Sequence, residues 1–176
     1  SLSAMRAANS VFCASFISAW AGRSEVDGFN QLVLAAGLNW REVAVLRSYA
    51  HYLRQIGTPY TQRYVELVLN GHPKVTADLA RLFAVQFDPE LFEAGAAGEA
   101  ARTAHADQLA AGVTAALDAV TSIDADRILR TLLSVIRASS RTNEYRLDDE
   151  GNRRDFLSVK LDPHQLRHVP RLLVQP

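Results

Sequence analysis

Apolar residues recur along most of this chain at spacings of three and four, the period of one helix face. From Met5 to Trp20 the positions Val11, Cys13, Phe16, Ile17 and Trp20 predict a first helix, closed by Gly22. Asp27 to Ala36 predicts a short second one through Phe29, Leu32, Val33 and Ala36, with Gly37 suited to the left-handed residue after a helix end. Asn39 to Ile56 carries the clearest pattern. Asn39 with Glu42 three residues on has the form of a capping box, Val43, Leu46, Ala50 and Leu53 make one stripe, and Gly57 stops the helix. Pro59 to Leu69 follows, with Tyr64, Val65, Val68 and Leu69 expected to face inward and Gly71 ending it. Pro73 opens a fifth helix over Val75, Leu79, Leu82, Phe83 and Phe87, ended by Asp88-Pro89.

Glu93 to Glu99 reads as a linker of alanine and glycine, which divides the chain into an N-terminal helical subdomain (1–93) and a pair of long helices (94–142). In that pair, Leu109, Val113, Ala116, Leu117 and Val120 define one helix. Asp124 is placed to cap the other, whose Ile128, Leu129, Leu132, Leu133, Val135 and Ile136 cover more than one face, as in a helix clamped between neighbours. The period changes after Arg141. Glu144–Leu147 and Phe156–Leu161 are short extended runs around Asp149-Glu150-Gly151-Asn152, a β-hairpin pattern, and Pro163 ends the second run. Residues 143–176 are therefore read as a hairpin and connector, with Val169–Pro176 a cut strand or linking segment. The fold class is mainly α, a multi-helix bundle with a small C-terminal β-hairpin.

Composition narrows what this architecture can serve. No apolar run approaches the ~20 residues that span a bilayer, so no membrane partner is expected. Lys plus Arg and Asp plus Glu both number 19, which leaves no basic field to draw nucleic acid. The single Cys13 cannot form an internal disulfide and sits among apolar residues, which predicts a buried thiol and a cytoplasmic setting. The cations are 17 arginines and only two lysines, Lys74 and Lys160. The opening Ser1-Leu2-Ser3 has no signal-peptide pattern and resembles the edge of an excised segment.

No phosphate-binding, nucleophile-elbow or zinc-protease motif is present, and the nine glycines are scattered at helix ends and turns. His164 and His168 have metal-ligand spacing but lack a third ligand nearby. Asp124/Asp126 fit a helix N-terminus and Asp148-Asp149-Glu150 a hairpin tip, and neither group is enclosed by apolar sequence that would tune it for acid–base work. The residues thus supply no catalytic, cofactor-binding or metal site. Arg47 and Arg54 lie two turns apart beside an apolar stripe, as a helix–helix rim would, with Glu66 or Asp78 as candidate partners. Trp40, Tyr49, Tyr52 and Tyr60 are either interface anchors or core fillers. The helices at 39–56 and 59–70 also outline a helix-turn-helix that would present Gln62, Arg63 and Glu66 to bases. Residues 1–88 hold only eight cations against six acids for such a role.

Residues 27–56, from Asp-Gly-Phe-Asn-Gln-Leu to Tyr-Leu-Arg-Gln-Ile, resemble the helical region of the large NAD-specific glutamate dehydrogenases. The resemblance continues at Gly57-Thr58-Pro59-Tyr60, His72-Pro73, Leu82-Phe83, Phe87-Asp88-Pro89 and Asp126-Arg127-Ile128-Leu129-Arg130. It ends with Ile136-Arg137, Arg141-Thr142-Asn143 and Ser158-Val159-Lys160-Leu161-Asp162-Pro163. It implies a segment of a very long cytoplasmic, oligomeric oxidoreductase of amino-acid catabolism that uses NAD, lying just before the catalytic domain. The family's catalytic lysines sit in glycine-rich sequence that has no counterpart here, so neither Lys74 nor Lys160 inherits their role. On this reading the segment binds no cofactor, is inert alone, and has as partners the other domains of its own chain and other subunits. Trp40, Tyr49, Tyr52, Tyr60, Arg47 and Arg54 are the candidate interface. The alternatives are a helix-turn-helix DNA-binding module and a free-standing helical protein-interaction module.

Overall fold

The computed structural model describes residues 13, 25, 27–154 and 156–166. The expected first helix, Cys13 apart, and the Val169–Pro176 segment lie outside these residues. Cys13 is helical and exposed, against the expectation of a buried thiol. Apolar neighbours in sequence mark the face of a helix but not what covers it.

The described residues form six α-helices and one two-stranded antiparallel sheet. A 3-10 turn at Gly28–Gln31 leads into α1 (Leu32–Ala35), followed by α2 (Trp40–Gln55), α3 (Gln62–Gly71), α4 (Pro73–Phe87), α5 (Ala96–Leu117) and α6 (Ile123–Arg137). The strands are β1 (Ser139–Thr142) and β2 (Val159–Leu161). The mainly α class with a small hairpin is the observed one. The chain packs as two compact units, one reaching to Ala80 and the other beginning at Arg81, a division that falls inside α4 rather than at residues 93–94.

In the first unit, the capping box forms as the sequence predicts. Asn39 Oδ1 accepts from the Arg41 and Glu42 amides at 2.9 and 3.0 Å, and Glu42 Oε2 accepts from the Asn39 amide at 2.8 Å. Gly37 and Gly57 take positive φ angles of 68° and 78°, which glycine adopts without a Cβ penalty and which close α1 and α2. Phe29, Leu32, Val43, Leu46, Leu53, Val65, Leu69 and Leu79 are buried together as the core of this unit. The α3–α4 junction is tied internally by Thr76 Oγ1, which donates to the Leu69 carbonyl at 2.8 Å. Tyr64, expected inside, is on the surface.

In the second unit, α6 is buried along Ala125, Ile128, Leu129, Leu132, Val135 and Ile136, which share one face, while Leu133 is half-buried, so the helix is one-sided where its sequence suggested burial on more than one face. Its cap is Ser122, whose Oγ accepts from the Ala125 amide at 3.3 Å, and not Asp124. Asp124 sits in the first turn, where its charge meets the helix dipole. The alanine–glycine stretch is the start of α5. Gly95 at φ 108° sets the turn into the helix, and a Cβ on Gly98 would run into the Glu93 carbonyl oxygen. Arg102, one turn further on, donates to the Val85 and Asp88 carbonyls at 2.7 and 3.0 Å, satisfying acceptors at the end of α4.

The hairpin exists, but its first strand is Ser139–Thr142 rather than Glu144–Leu147. Ser139 pairs with Leu161, Arg141 with Lys160 and Thr142 with Val159, so Ser140 is an extra, bulged residue. Glu144–Leu147 is a turn that returns to the ladder only at an isolated bridge from Leu147 to Arg153. The tip is closed by Asp148, which accepts from the Glu150 and Asn152 amides, and by Gly151 at φ 81°. Ser-Ser-Arg-Thr shows no alternation of apolar and polar residues. It becomes a strand because it leaves α6 in register with β2.

Candidate interface site

The six candidate interface residues fall into two groups. Arg47 and Tyr49 are inside the first unit, at 5% and 3% exposure. Trp40, Tyr52 and Tyr60 are half-buried, and Arg54 is exposed.

Arg47 is the centre of a buried polar clamp. Its Nε donates to Asp27 Oδ2 at 2.7 Å and its Nη2 to Asp27 Oδ1 at 2.9 Å, a two-pronged pair. The same Nη2 reaches Asn30 Oδ1 at 3.0 Å and the Glu25 carbonyl at 3.3 Å. Asp27 also caps the 3-10 turn by accepting from the Phe29 amide, and the Arg47 guanidinium lies 5.6 Å from the Phe29 ring centre. Its acidic partner is thus Asp27, not Glu66 or Asp78. The proposed rim residue is a bolt that holds the turn before α1 onto α2.

Arg54 donates to the Gln62 amide oxygen at 3.4 Å, and Gln62 in turn donates to Glu66 Oε1 at 3.1 Å. Glu66 is buried against Gly28, where a Cβ would strike its carboxylate. A helix-turn-helix reading needs Gln62, Arg63 and Glu66 on one open face, and Glu66 points inward instead.

Outside, Arg41 covers the Trp40 ring at 4.6 Å, and burial raises the Tyr52 phenol above its ordinary pKa of 10.0. Tyr60 stacks on Tyr64 with ring centres 6.0 Å apart, and Leu67 continues the same open stripe along α3. Tyr64 and Leu67 were missed as surface residues. Their spacing of four and then three from Tyr60 is the signal that could have found them.

A second set of anchors lies in the hairpin. The Asn143 amide oxygen accepts from the Ser158 backbone N–H at 2.6 Å, and its Nδ2 donates to the Phe156 carbonyl at 2.8 Å. The sequence blocks Arg141-Thr142-Asn143 and Ser158-Val159-Lys160 therefore meet as one ladder. Lys74 and Lys160 are both open to solvent, and His164 is exposed on a 3-10 turn (Pro163–Gln165), while His168 lies outside the described residues.

These features define a helical packing module closed by a short hairpin, with its strongest polar contacts spent on internal fastening. Residues 24–89 match the family model described as glutamate dehydrogenase, helical motif 3, and residues 112–175 that of the bacterial NAD-glutamate dehydrogenase catalytic domain. An NAD-specific glutamate dehydrogenase of Mycobacterium tuberculosis is 42% identical over 161 residues, covering 90% of this chain and 10% of that protein. Those of Halomonas elongata and Pseudomonas aeruginosa are 39% and 36% identical, over 91% and 93% of the chain and 9% and 10% of their own lengths. The chain belongs to the family of large NAD-specific glutamate dehydrogenases, and it spans about a tenth of the length of these relatives. The catalytic-domain match begins inside α5, well ahead of Lys160, where the sequence reading brought the chain up to the catalytic core. No described helix is long and apolar enough to cross a membrane.

Proposed function

We propose that this chain is a structural segment of a cytoplasmic NAD-dependent glutamate dehydrogenase, whose reaction is the oxidative deamination of L-glutamate to 2-oxoglutarate and ammonia. In this reading the segment binds no NAD itself and carries none of the reacting groups. It joins helical modules to the catalytic domain, and its open aromatic surface, with Trp40, Tyr52 and Tyr60, meets other domains of the chain or other subunits. The observation that carries the reading is that the residues matching helical motif 3 are fastened helices whose buried charge, Arg47, is held by Asp27 and Asn30.

The test compares the 176-residue chain with a product of the same gene extended in both directions. Glutamate-dependent NAD reduction is expected in the long product alone. Turnover by the short chain would overturn the structural role, and turnover by neither would overturn the reaction. A Tyr60→Ser change in the long product is expected to weaken association between subunits or domains while leaving the melting of the short chain nearly unchanged. Unchanged association would remove Tyr60 from the interface.

A further inference from the structure

In the second unit a series of rings joins the end of α4 to the hairpin. Phe83 and Phe87, one turn apart on α4, have ring centres 5.0 Å apart and planes tilted by 54°. Phe83 is buried, and the half-buried Tyr145 stacks on it at 6.3 Å and 28°. Tyr145 stands in the turn that follows β1, on the outgoing side of the hairpin. From the returning side, the Arg153 guanidinium lies 5.0 Å from the centre of the Tyr145 ring, and its Nη1 donates to Glu144 Oε1 at 3.3 Å.

The stack takes hold where the ladder is thinnest. Past the Asn143–Ser158 stitch and short of the tip, the backbone pairing of the described residues is one isolated bridge, Leu147 with Arg153. A two-stranded ribbon is marginal by itself even when fully paired. Tyr145 precedes that bridge on one side and Arg153 forms it on the other, so ring and cation together grip both sides of the arm 144–154. Aromatic pairs favour particular relative orientations, and an arginine over a ring adds an attraction directed at its face. An aliphatic side chain of similar bulk would fill the same space without setting an angle. The direction of the arm is therefore set by α4 more than by its own ladder.

The same contacts join two stretches of chain that match different family models. Phe83 and Phe87 belong to the residues matching helical motif 3, and Tyr145 and Arg153 to those matching the catalytic domain. We infer that Tyr145 is a positioning residue: by stacking on Phe83 it sets the angle at which α4 holds the matched part of the catalytic domain, and turnover depends on that angle. In this role Tyr145 acts through the arm and not on a reacting group. The inference rests on the proposed reading of the chain as a structural segment of a glutamate dehydrogenase.

The long product of the gene is the protein to test, read by glutamate-dependent NAD reduction, by melting and by hydrogen exchange of the 144–154 peptide. Tyr145→Leu keeps the bulk and loses the stack. It is expected to lower turnover about tenfold or more, since a misplacement of about 1 Å caused far from the chemistry can cost about 100-fold in rate. Exchange in the arm should quicken while the melting temperature changes little. Tyr145→Phe keeps the ring and should hold turnover within about twofold of the unaltered product. Arg153→Gln takes the cation off the ring and should shift exchange and turnover the same way by less, which keeps the test open if Tyr145→Leu fails to fold. No turnover by the unaltered product would overturn the proposed reaction and this inference with it. Turnover that Tyr145→Leu leaves intact (or Arg153→Gln, where Tyr145→Leu does not fold) would overturn the positioning role alone. So would a loss that Tyr145→Phe shares, or one that tracks a fall in melting temperature.

Discussion

Arg47 in the first unit and Arg137 in the second each clasp an aspartate, yet the two pairs do different work. The Arg47 side chain is 6% exposed and its Asp27 partner 14%, whereas Arg137 and Asp107 are 39% and 57% exposed. Inside the protein a charge stripped of water needs partners in its place, and Asp27, Asn30 and the Glu25 carbonyl accept from Nε and Nη2 of Arg47. At the surface, water solvates either partner as well as the other does, and the pair adds little stability. The first unit therefore uses arginine as an internal fastener. The second unit fastens internally through Arg102, while Arg130 and Arg137 of α6 stay partly exposed and pair with aspartates at its surface.

Removing one carboxylate from each pair would break or sharpen this contrast most directly. Asp27→Ala strands a buried guanidinium and uncaps the 3-10 turn, with an expected loss of about 3–5 kcal/mol in denaturant unfolding. A loss as small as that of a surface pair would show that Arg47 finds water. Next in size is Gly98→Ala in the second unit, which sets a methyl group against the Glu93 carbonyl and should cost about 1–3 kcal/mol. Asn143→Ala removes two hydrogen bonds across the hairpin and is expected to cost about 1–2 kcal/mol, seen as faster amide exchange at Ser158. Asp107→Ala, the surface counterpart of Asp27→Ala, should cost no more than about 1 kcal/mol and less at high salt. The smallest effect is at Tyr52. Burial opposes ionisation of its phenol, so the folded chain holds that proton more tightly than the unfolded one. That contribution is intact at neutral pH and is lost as pH rises above about 10 through the raised folded pKa. Tyr52→Phe should flatten this part of the alkaline stability profile.

Much of the first unit was legible in the residues. Asn39, Glu42 and Gly57 act within a few positions of themselves, and local signals of this kind need no knowledge of the rest of the fold. The arginine pattern was legible only as far as its helix face. Whether Arg47 sits at a rim or in the interior depends on Asp27, twenty residues away on a turn whose path no periodicity gives. The alanine–glycine stretch was misleading for the opposite reason, because its glycines serve a tight helix entry and mimic a linker in composition. The strand at Ser139–Thr142 was illegible because its small or polar residues show no alternation, three of them pairing with β2 and the bulged Ser140 reaching it by donating from Oγ to the Lys160 carbonyl. On α3, Tyr64 was read as inward although it is exposed beside Leu67, since helical spacing locates a stripe without saying which side faces water.

The stitch between Asn143 and Ser158 also bears on the order in which the chain folds. Helices α2 to α6 arise from contacts a turn apart and form on the submicrosecond scale, while a hairpin takes on the order of 1–10 μs. Here the two strands are separated by an intervening stretch that itself adds only one isolated bridge, so the entropy of closing that loop is met before the ladder gives anything back. The side chain of Asn143 holds both sides of the closure at once, which makes the two strands lock or open together. The hairpin then behaves as a single late-forming unit, the part of the described chain whose unfolding can be followed without disturbing the helices that came first.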